Sequence, residues 1–282
     1  MNGPNDKFLL ANGVGIPCLG FGTYKTPDGA EGAAAVRAAL AEGYRHIDTA
    51  AFYGNETAVG QGIRESGLPR EEIFVTTKVW NTDRGYEKAR ASVLESLKRL
   101  GLDYIDLCLI HWPAAPHQYP ETWEQLNLGT WRALTELYQE GKLRAIGVSN
   151  FKPHHLRALM DTEVPPMADQ IEVHPGQTQE ETVAYCQSHG ILVEAWSPMG
   201  RGALLEHPAV TVLAEKYRRT PAQICIRWCL EKGILPLPKS VTPARIAENT
   251  GVFSFRLAPE DVAALDAGPP TARSHDPDEV TF

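Results

Sequence analysis

The chain has no run of about twenty apolar residues, so it offers nothing that reads as a membrane-spanning helix. No basic N-terminus leads into an apolar stretch, so no secretory signal is read and the expected location is the cytoplasm. Cysteine is scarce. Cys18, Cys108, Cys186, Cys225 and Cys229 are five in all, and most stand in apolar runs. That excludes a disulfide framework and predicts reduced, buried thiols. Cys225 and Cys229 share a helical face, but no histidine or second cysteine pair accompanies them, so no metal site is expected. Positive charge is in deficit: 27 Lys and Arg face 35 Asp and Glu, a net charge of −8. This argues against nucleic acid or an anionic membrane as partner. Any Gly-x-Gly-x-x-Gly is also missing, which removes the usual glycine fingerprint of a dinucleotide-binding βαβ unit.

What is present is a regular alternation. The 282 residues are 43% apolar, enough for one large α/β barrel or two smaller domains. Only the polar ends, residues 1–7 and 271–282, read as disordered. Residues 8–23 read as two short strands around Ala11-Asn12-Gly13, a hairpin signal. Short apolar, β-branched runs then recur at residues 45–49, 73–79, 104–110, 143–148, 168–173, 191–196 and 234–237. Helical patterns separate them, at residues 33–41, 56–65, 87–100, 128–140, 153–161, 179–189, 210–217 and 221–231. Two more helices follow, at 243–250 and 259–267. Runs such as Leu107-Cys108-Leu109-Ile110 suit a parallel sheet covered on both faces. The pattern predicts the α/β class as one (β/α)8 barrel domain over residues 1–282, with an N-terminal β-hairpin; a doubly wound open sheet is the second choice.

Barrel enzymes place their chemistry at the C-terminal ends of the strands. Those ends carry Asp48, Lys78, His111, Ser149-Asn150, Gln170, Trp196-Ser197 and Lys239-Ser240, with Tyr53 in the turn after Asp48. A phenol titrates near 10, too high for an efficient acid at neutral pH. An adjacent ammonium lowers that value, and a buried ammonium needs a carboxylate to stay charged. The set Asp48, Lys78 and Tyr53 supplies such a chain, so a lowered phenol pKa is expected. His111 can orient a carbonyl oxygen or assist the proton transfer. Trp196 offers a face for a nicotinamide ring, and Ser149, Asn150 and Gln170 can hold its carboxamide. Lys239 and Ser240 precede the first turn of a helix, a place that favours anions, and Arg245 can pair with a phosphate. Other readings stay open on these residues: a barrel with no enzymatic role, or an aldolase using Lys78 as a Schiff-base nucleophile.

With those motifs in place, the chain resembles an aldo-keto reductase. The resemblance runs from Leu19-Gly20-Phe21-Gly22-Thr23 to about Asp266. It includes Asp48-Thr49-Ala50 with Tyr53-Gly54-Asn55-Glu56, Lys78, Leu109-Ile110-His111-Trp112-Pro113, Ile146-Gly147-Val148-Ser149-Asn150-Phe151 and Leu237-Pro238-Lys239-Ser240-Val241. Within the family it is similar to the bacterial 2,5-diketo-D-gluconate and glyoxal reductases. The resemblance implies NADPH bound in an extended pose and reduction of aldehydes or ketones to alcohols, for example 2,5-diketo-D-gluconate or methylglyoxal. It implies Tyr53 as general acid, tuned by Lys78 and Asp48, with His111 orienting the substrate. It puts Trp196 against the nicotinamide, Ser149, Asn150 and Gln170 on its amide, and Lys239, Ser240 and Arg245 at the 2′-phosphate. Glu248 and Asn249 fall near the adenine, and Gly22, Thr23, Ser197 and Val241 along the cofactor. Tyr24, Trp80 and Trp112 would line the substrate pocket, with the C-terminal tail over the mouth. A monomer acting on a small carbonyl compound is expected.

Overall fold

Residues 7–17 make a two-stranded antiparallel hairpin, β1 (Lys7–Leu9) and β2 (Gly15–Pro17), in the computed structural model. It describes residue 1, residues 3–268 and residues 275–282. After the hairpin come β3 (Gly20–Gly22), α1 (Ala30–Ala41), β4 (His46–Asp48), α2 (Glu56–Glu65), β5 (Phe74–Val79), α3 (Tyr86–Leu100), β6 (Leu107–Ile110) and α4 (Trp123–Gln139). Then follow β7 (Ile146–Ser149), α5 (Pro153–Met160), β8 (Ala168–Glu172), α6 (Glu180–Ser188), β9 (Leu192–Trp196), α7 (Pro208–Tyr217), α8 (Pro221–Glu231), β10 (Leu235–Leu237), α9 (Pro243–Thr250) and α10 (Pro259–Asp266).

The eight strands β3 to β10 pair in chain order, all parallel. The sheet curls until its two ends meet. Gly22 bridges to Lys239, and the Gly22 N–H donates to the Pro238 carbonyl at 2.9 Å. This is the (β/α)8 barrel expected from the alternation. Strand periodicity sorts the side chains. In β5, Lys78 turns into the barrel toward Asp48, while Thr77 turns outward and its hydroxyl donates to Glu56 of α2 at 2.6 Å. Glu56 also accepts from Ser96 and Arg99 of α3, so an acid that reads as a helix start is the tie between two helices and the sheet.

Three expectations need correction. The hairpin's second strand ends at Pro17, and Gly20–Gly22 is a separate strand, the first of the barrel. Two separate strands stand where one was read, because Cys18 and Leu19 cross from the hairpin to the barrel wall. Helix α4 starts at Trp123, five residues before the expected start. Its first residue is an aromatic packed on His154 and His155 rather than a capping signal. The polar ends are not loose where they are described. Lys7 pairs in β1, and Met1 packs against the core. Val280 is buried, and Lys152 holds Asp276 and Asp278, each at 2.6 Å. The part of the disorder expectation that covers residues 271–274 lies outside the described residues.

Candidate active site

Asp48 ends β4 and Lys78 lies near the end of β5, one strand over. The Lys78 ammonium donates to both Asp48 oxygens, at 2.7 and 2.8 Å, and to the Thr49 carbonyl at 2.8 Å. Three acceptors thus surround a fully buried cation, as its desolvation demands. Tyr53 follows in a short 3-10 turn, Ala51–Tyr53, closed by Gly54 in the left-handed region (φ 67°). The Lys78 nitrogen lies 5.2 Å from the centre of the Tyr53 ring. Asn55 pins this turn: its amide donates to the Thr23 and Thr26 carbonyls at 2.9 Å and accepts from Thr49.

The electrostatics depart from expectation in sign. Burial pushes the Tyr53 phenol up to about 12, with Asp48 adding to the rise and Lys78 opposing it. Loss of water outweighs the ammonium, so the phenol is held as an acid that keeps its proton. Lys78 itself is raised: burial works against its charge, but Asp48 and Tyr53 more than offset that. His111, at the end of β6, is held well below its usual value by burial and then by Lys78. It is a neutral imidazole, a hydrogen-bond donor rather than a source of protons. Of the two roles left open for it, the lowered value favours orienting a carbonyl oxygen over giving up a proton.

Aromatic rings surround this group. Tyr24 lies 5.1 Å from Tyr53, Trp80 5.0 Å from His111, and Phe52 stacks on Trp80 at 3.8 Å between centres. From the tail, Phe282 stacks on Trp80 at 5.9 Å and meets Trp112 edge-on at 5.2 Å. Of the three residues that the resemblance puts in the substrate pocket, Tyr24 meets Tyr53, Trp80 meets His111, and Trp112 joins them through Phe282. Phe52, which the sequence offers only as a neighbour of Tyr53, and Phe282, expected in a loose end, both belong to the same cluster. An aromatic next to a predicted acid was the available signal for Phe52. None pointed to Phe282. A groove of about 840 Å³ is lined by Phe52, Trp80 and residues of α2 and α3. Tyr53, Lys78 and His111 do not line it.

The neighbouring strand ends form a second group. Asn150 follows β7 with φ at 63°, a left-handed conformation that asparagine tolerates better than most residues. Its amide protons go to the His111 carbonyl (2.9 Å) and the Ser149 hydroxyl (3.0 Å), and its oxygen accepts from the Trp196 indole at 2.9 Å. Asn150 therefore braces His111's backbone and fixes the Trp196 ring by its edge. Ser149 donates to the Gln170 carbonyl at 2.7 Å, and the Gln170 side-chain amide donates to Asp48 and Glu194. Ser197 also takes a positive φ (51°), and Arg201 in the next loop lies 5.7 Å over the Trp196 ring. The sequence reading missed Glu194 and Arg201.

At the seam, Gly22 has no side chain because a Cβ there would press on the Leu237 carbonyl, 3.2 Å away. Thr23 donates to the Asp48 carbonyl with both its backbone N–H and its hydroxyl. Lys239, just past β10, is lowered by burial and by the nearby Lys25, with Glu31 pulling the other way. Neither Lys239 nor Arg245 forms an ion pair among the described residues. Cations without carboxylate partners on an acidic protein fit a phosphate-bearing ligand. Ser240 accepts from the Thr242 N–H at 3.1 Å ahead of α9. Val241 packs partly on the core and Asn249 is buried, while Glu248 accepts from Thr220 of the loop before α8. Trp196 pairs with Leu237 of β10, and Lys239, Ser240 and Val241 lead from that strand into α9, which carries Arg245, Glu248 and Asn249.

Comparison with known proteins gives the family. The model of the Aldo/keto reductase family matches residues 18–268. The chain is 48% identical over 279 residues to glyoxal reductase from Bacillus subtilis (strain 168), covering 98% of each chain. It is 44% identical over 266 residues to methylglyoxal reductase DkgA from Escherichia coli (strain K12), covering 92% of this chain and 93% of the relative. Among solved structures it is similar to a Bombyx mori aldo-keto reductase in complex with NADP. The TM-score is 0.85 at 41% identity, covering 94% of this chain and 92% of the other.

Proposed function

The chain belongs to the aldo/keto reductase family, whose members use NADP(H), and from that premise we propose that it reduces small aldehydes and ketones with Tyr53 as the acid. One observation carries this reading: a buried Lys78–Asp48 pair, at 2.7 and 2.8 Å, stands beneath a protonated phenol and beside a neutral imidazole. NADPH, when bound, supplies the hydride. Trp196, held by Asn150, offers it a ring face, and Lys239 and Arg245 offer its phosphate two unpaired cations. His111 donates a hydrogen bond to the substrate oxygen and sets its angle. Tyr53 gives that oxygen its proton as negative charge builds on it, and Lys78 stabilises the phenolate left behind. Asp48 keeps Lys78 charged, which also opposes the use of that lysine as a Schiff-base nucleophile.

The substrate we infer is a compact, uncharged α-dicarbonyl such as glyoxal or methylglyoxal. The rings of Tyr24, Phe52, Trp80, Trp112 and Phe282 that crowd the acid carry no charge to meet the carboxylate of a sugar acid such as 2,5-diketo-D-gluconate. We read the protein as one barrel domain working as a cytoplasmic monomer, with no nucleic-acid partner. Five buried free cysteines support a reducing compartment, and the exposed large apolar residues away from the mouth are scattered.

The test is NADPH oxidation by wild type and Tyr53→Phe on methylglyoxal, glyoxal and 2,5-diketo-D-gluconate. The variant should lose about a hundredfold to ten-thousandfold in kcat while still binding NADPH. Near-full activity in Tyr53→Phe would remove Tyr53 from its role. A preference for the sugar acid would overturn the substrate assignment.

A further inference from the structure

Glu194 stands in the middle of β9, where the sequence shows only one acid in an apolar run. Its side chain points into the barrel and is fully buried. In register it faces Gln170 on β8 and Leu235 on β10. The Gln170 amide nitrogen donates to Asp48 Oδ2 at 2.8 Å and to Glu194 Oε2 at 2.8 Å. A primary amide has two N–H donors and one carbonyl. Both donors are committed to carboxyl groups, so the amide's orientation is fixed and only its carbonyl oxygen remains to accept. Gln170 can therefore meet a carboxamide only at that carboxamide's N–H. Because Asp48 also holds Lys78, an unbroken path runs from Tyr53 through Lys78, Asp48 and Gln170 to Glu194.

We propose that Glu194 is a positioning residue for carbonyl reduction: through Gln170 and Asp48 it fixes the amide that meets the cofactor and sets the charge against which Tyr53 gives up its proton. This rests on the assignment of Tyr53 as the acid. Glu194 Oε1 has no hydrogen-bond partner, and a bare carboxylate oxygen in the interior is costly. Burial, with Asp48 adding to it, raises this carboxyl to about 7, while Gln170 and Lys78 act the other way. Protonated, it still accepts from Gln170 through its carbonyl oxygen. Ionised, it adds a second anion close to Lys78, which binds its proton more tightly and stabilises a phenolate on Tyr53 less. Of the nearby groups, His46 and Leu235 add no switch near neutrality. His46 on β4 is held neutral at about 3 by burial and Lys78. Asp169 on the outer side of β8 is raised well above its ordinary value by burial, with Glu194 adding to the rise, and it points away from Tyr53 toward Cys186. Leu235 on β10 has no charge.

The reaction is followed in single turnover, with NADPH and methylglyoxal, from about pH 6 to about pH 9 for wild type, Glu194→Gln, Glu194→Leu and Tyr53→Phe. Wild type should slow by about threefold to tenfold as pH rises through about 7, the size of a charge effect of half to one pKa unit. Glu194→Gln should lose that step and keep its KM for NADPH. Glu194→Leu should also lose it, and should raise KM because one Gln170 N–H is released. An unchanged step in Glu194→Gln, with Tyr53→Phe inactive, overturns the proposal alone; an active Tyr53→Phe overturns the acid assignment beneath it. If neither Glu194 variant folds, infrared spectra of wild type labelled with carbon-13 glutamate decide. A protonated glutamate C=O band that fades through about pH 7 supports the proposal, and its absence overturns it.

Discussion

At the scale of single residues, whether a group could be read from the sequence depends on which face of a strand it occupies. Asp48, Lys78 and His111 end apolar runs, so their place at the barrel mouth follows from the strand count alone. Glu194 lies mid-strand, and a sequence does not say whether a lone acid there points at the helices, as Asp169 does toward Cys186, or into the barrel. The tuning of Tyr53 was legible in its partners but not in its sign, because the weight of burial against one ammonium depends on how completely water is excluded. Lys239 is a case where the sequence left a helix-start lysine and a phosphate ligand side by side. The structure finds it without an ion pair, with Lys25 close enough to depress it. Lys239→Ala should raise KM for NADPH about tenfold or more and leave KM for NADH nearly unchanged, since a charge-assisted phosphate contact contributes roughly 1.5–3 kcal/mol. Steady-state kinetics with both cofactors checks this, and an equal loss with NADH would count against a 2′-phosphate contact.

Among the elements, those with strong periodicity and hard stops were readable to the residue. α2 and α9 have the bounds that their sequence patterns give, each set by a glycine or proline. What the pattern hides is why α2 carries Gly60 and Gly62, residues that weaken a helix. α2 is wedged between α1 and α3. A methyl on Gly60 would run into the Leu100 carbonyl, and one on Gly62 into the Ala33 carbonyl and the Val36 side chain. The glycines let helix backbones approach closely, and that approach holds Glu56 against Ser96, Arg99 and Thr77. Gly60→Ala would be favoured in an isolated helix, yet it should destabilise this protein by about 1–3 kcal/mol through overpacking. Urea denaturation measures it; a gain in stability would mean that α2 has room to shift.

For the molecule as a whole, the carboxyl inside the barrel ties stability to pH. Glu194 keeps its proton to about 7 in the fold, against an ordinary value of 4.5. Between those values the folded chain holds a proton that the unfolded chain has released. Folding stability should therefore fall as pH climbs from about 4.5 to about 7, by on the order of 3 kcal/mol from this group. Glu194→Gln should remove that loss, as chemical denaturation at the two ends of the window would show. If the variant and wild type shared one pH dependence there, the carboxyl would have to be ionised throughout. The barrel as a whole was legible because seven apolar runs after the hairpin alternate with helices. The tail was not, since Asp276, Asp278 and Phe282 look polar or isolated until Lys152 and Trp80 are in place.

The join between β3 and β10 also governs when the molecule can exist during its own synthesis. Gly22 finds its last neighbours at Pro238 and Lys239, nearly the whole chain away. At ribosomal speeds, the first barrel strand waits roughly ten to forty seconds for the last. In that interval its free edge is a template for wrong pairing. The strand left waiting is only three residues long, Gly20-Phe21-Gly22, two of them without side chains. Such a strand offers other nascent chains little to hold, so the glycines that let the barrel close also shelter it until it can.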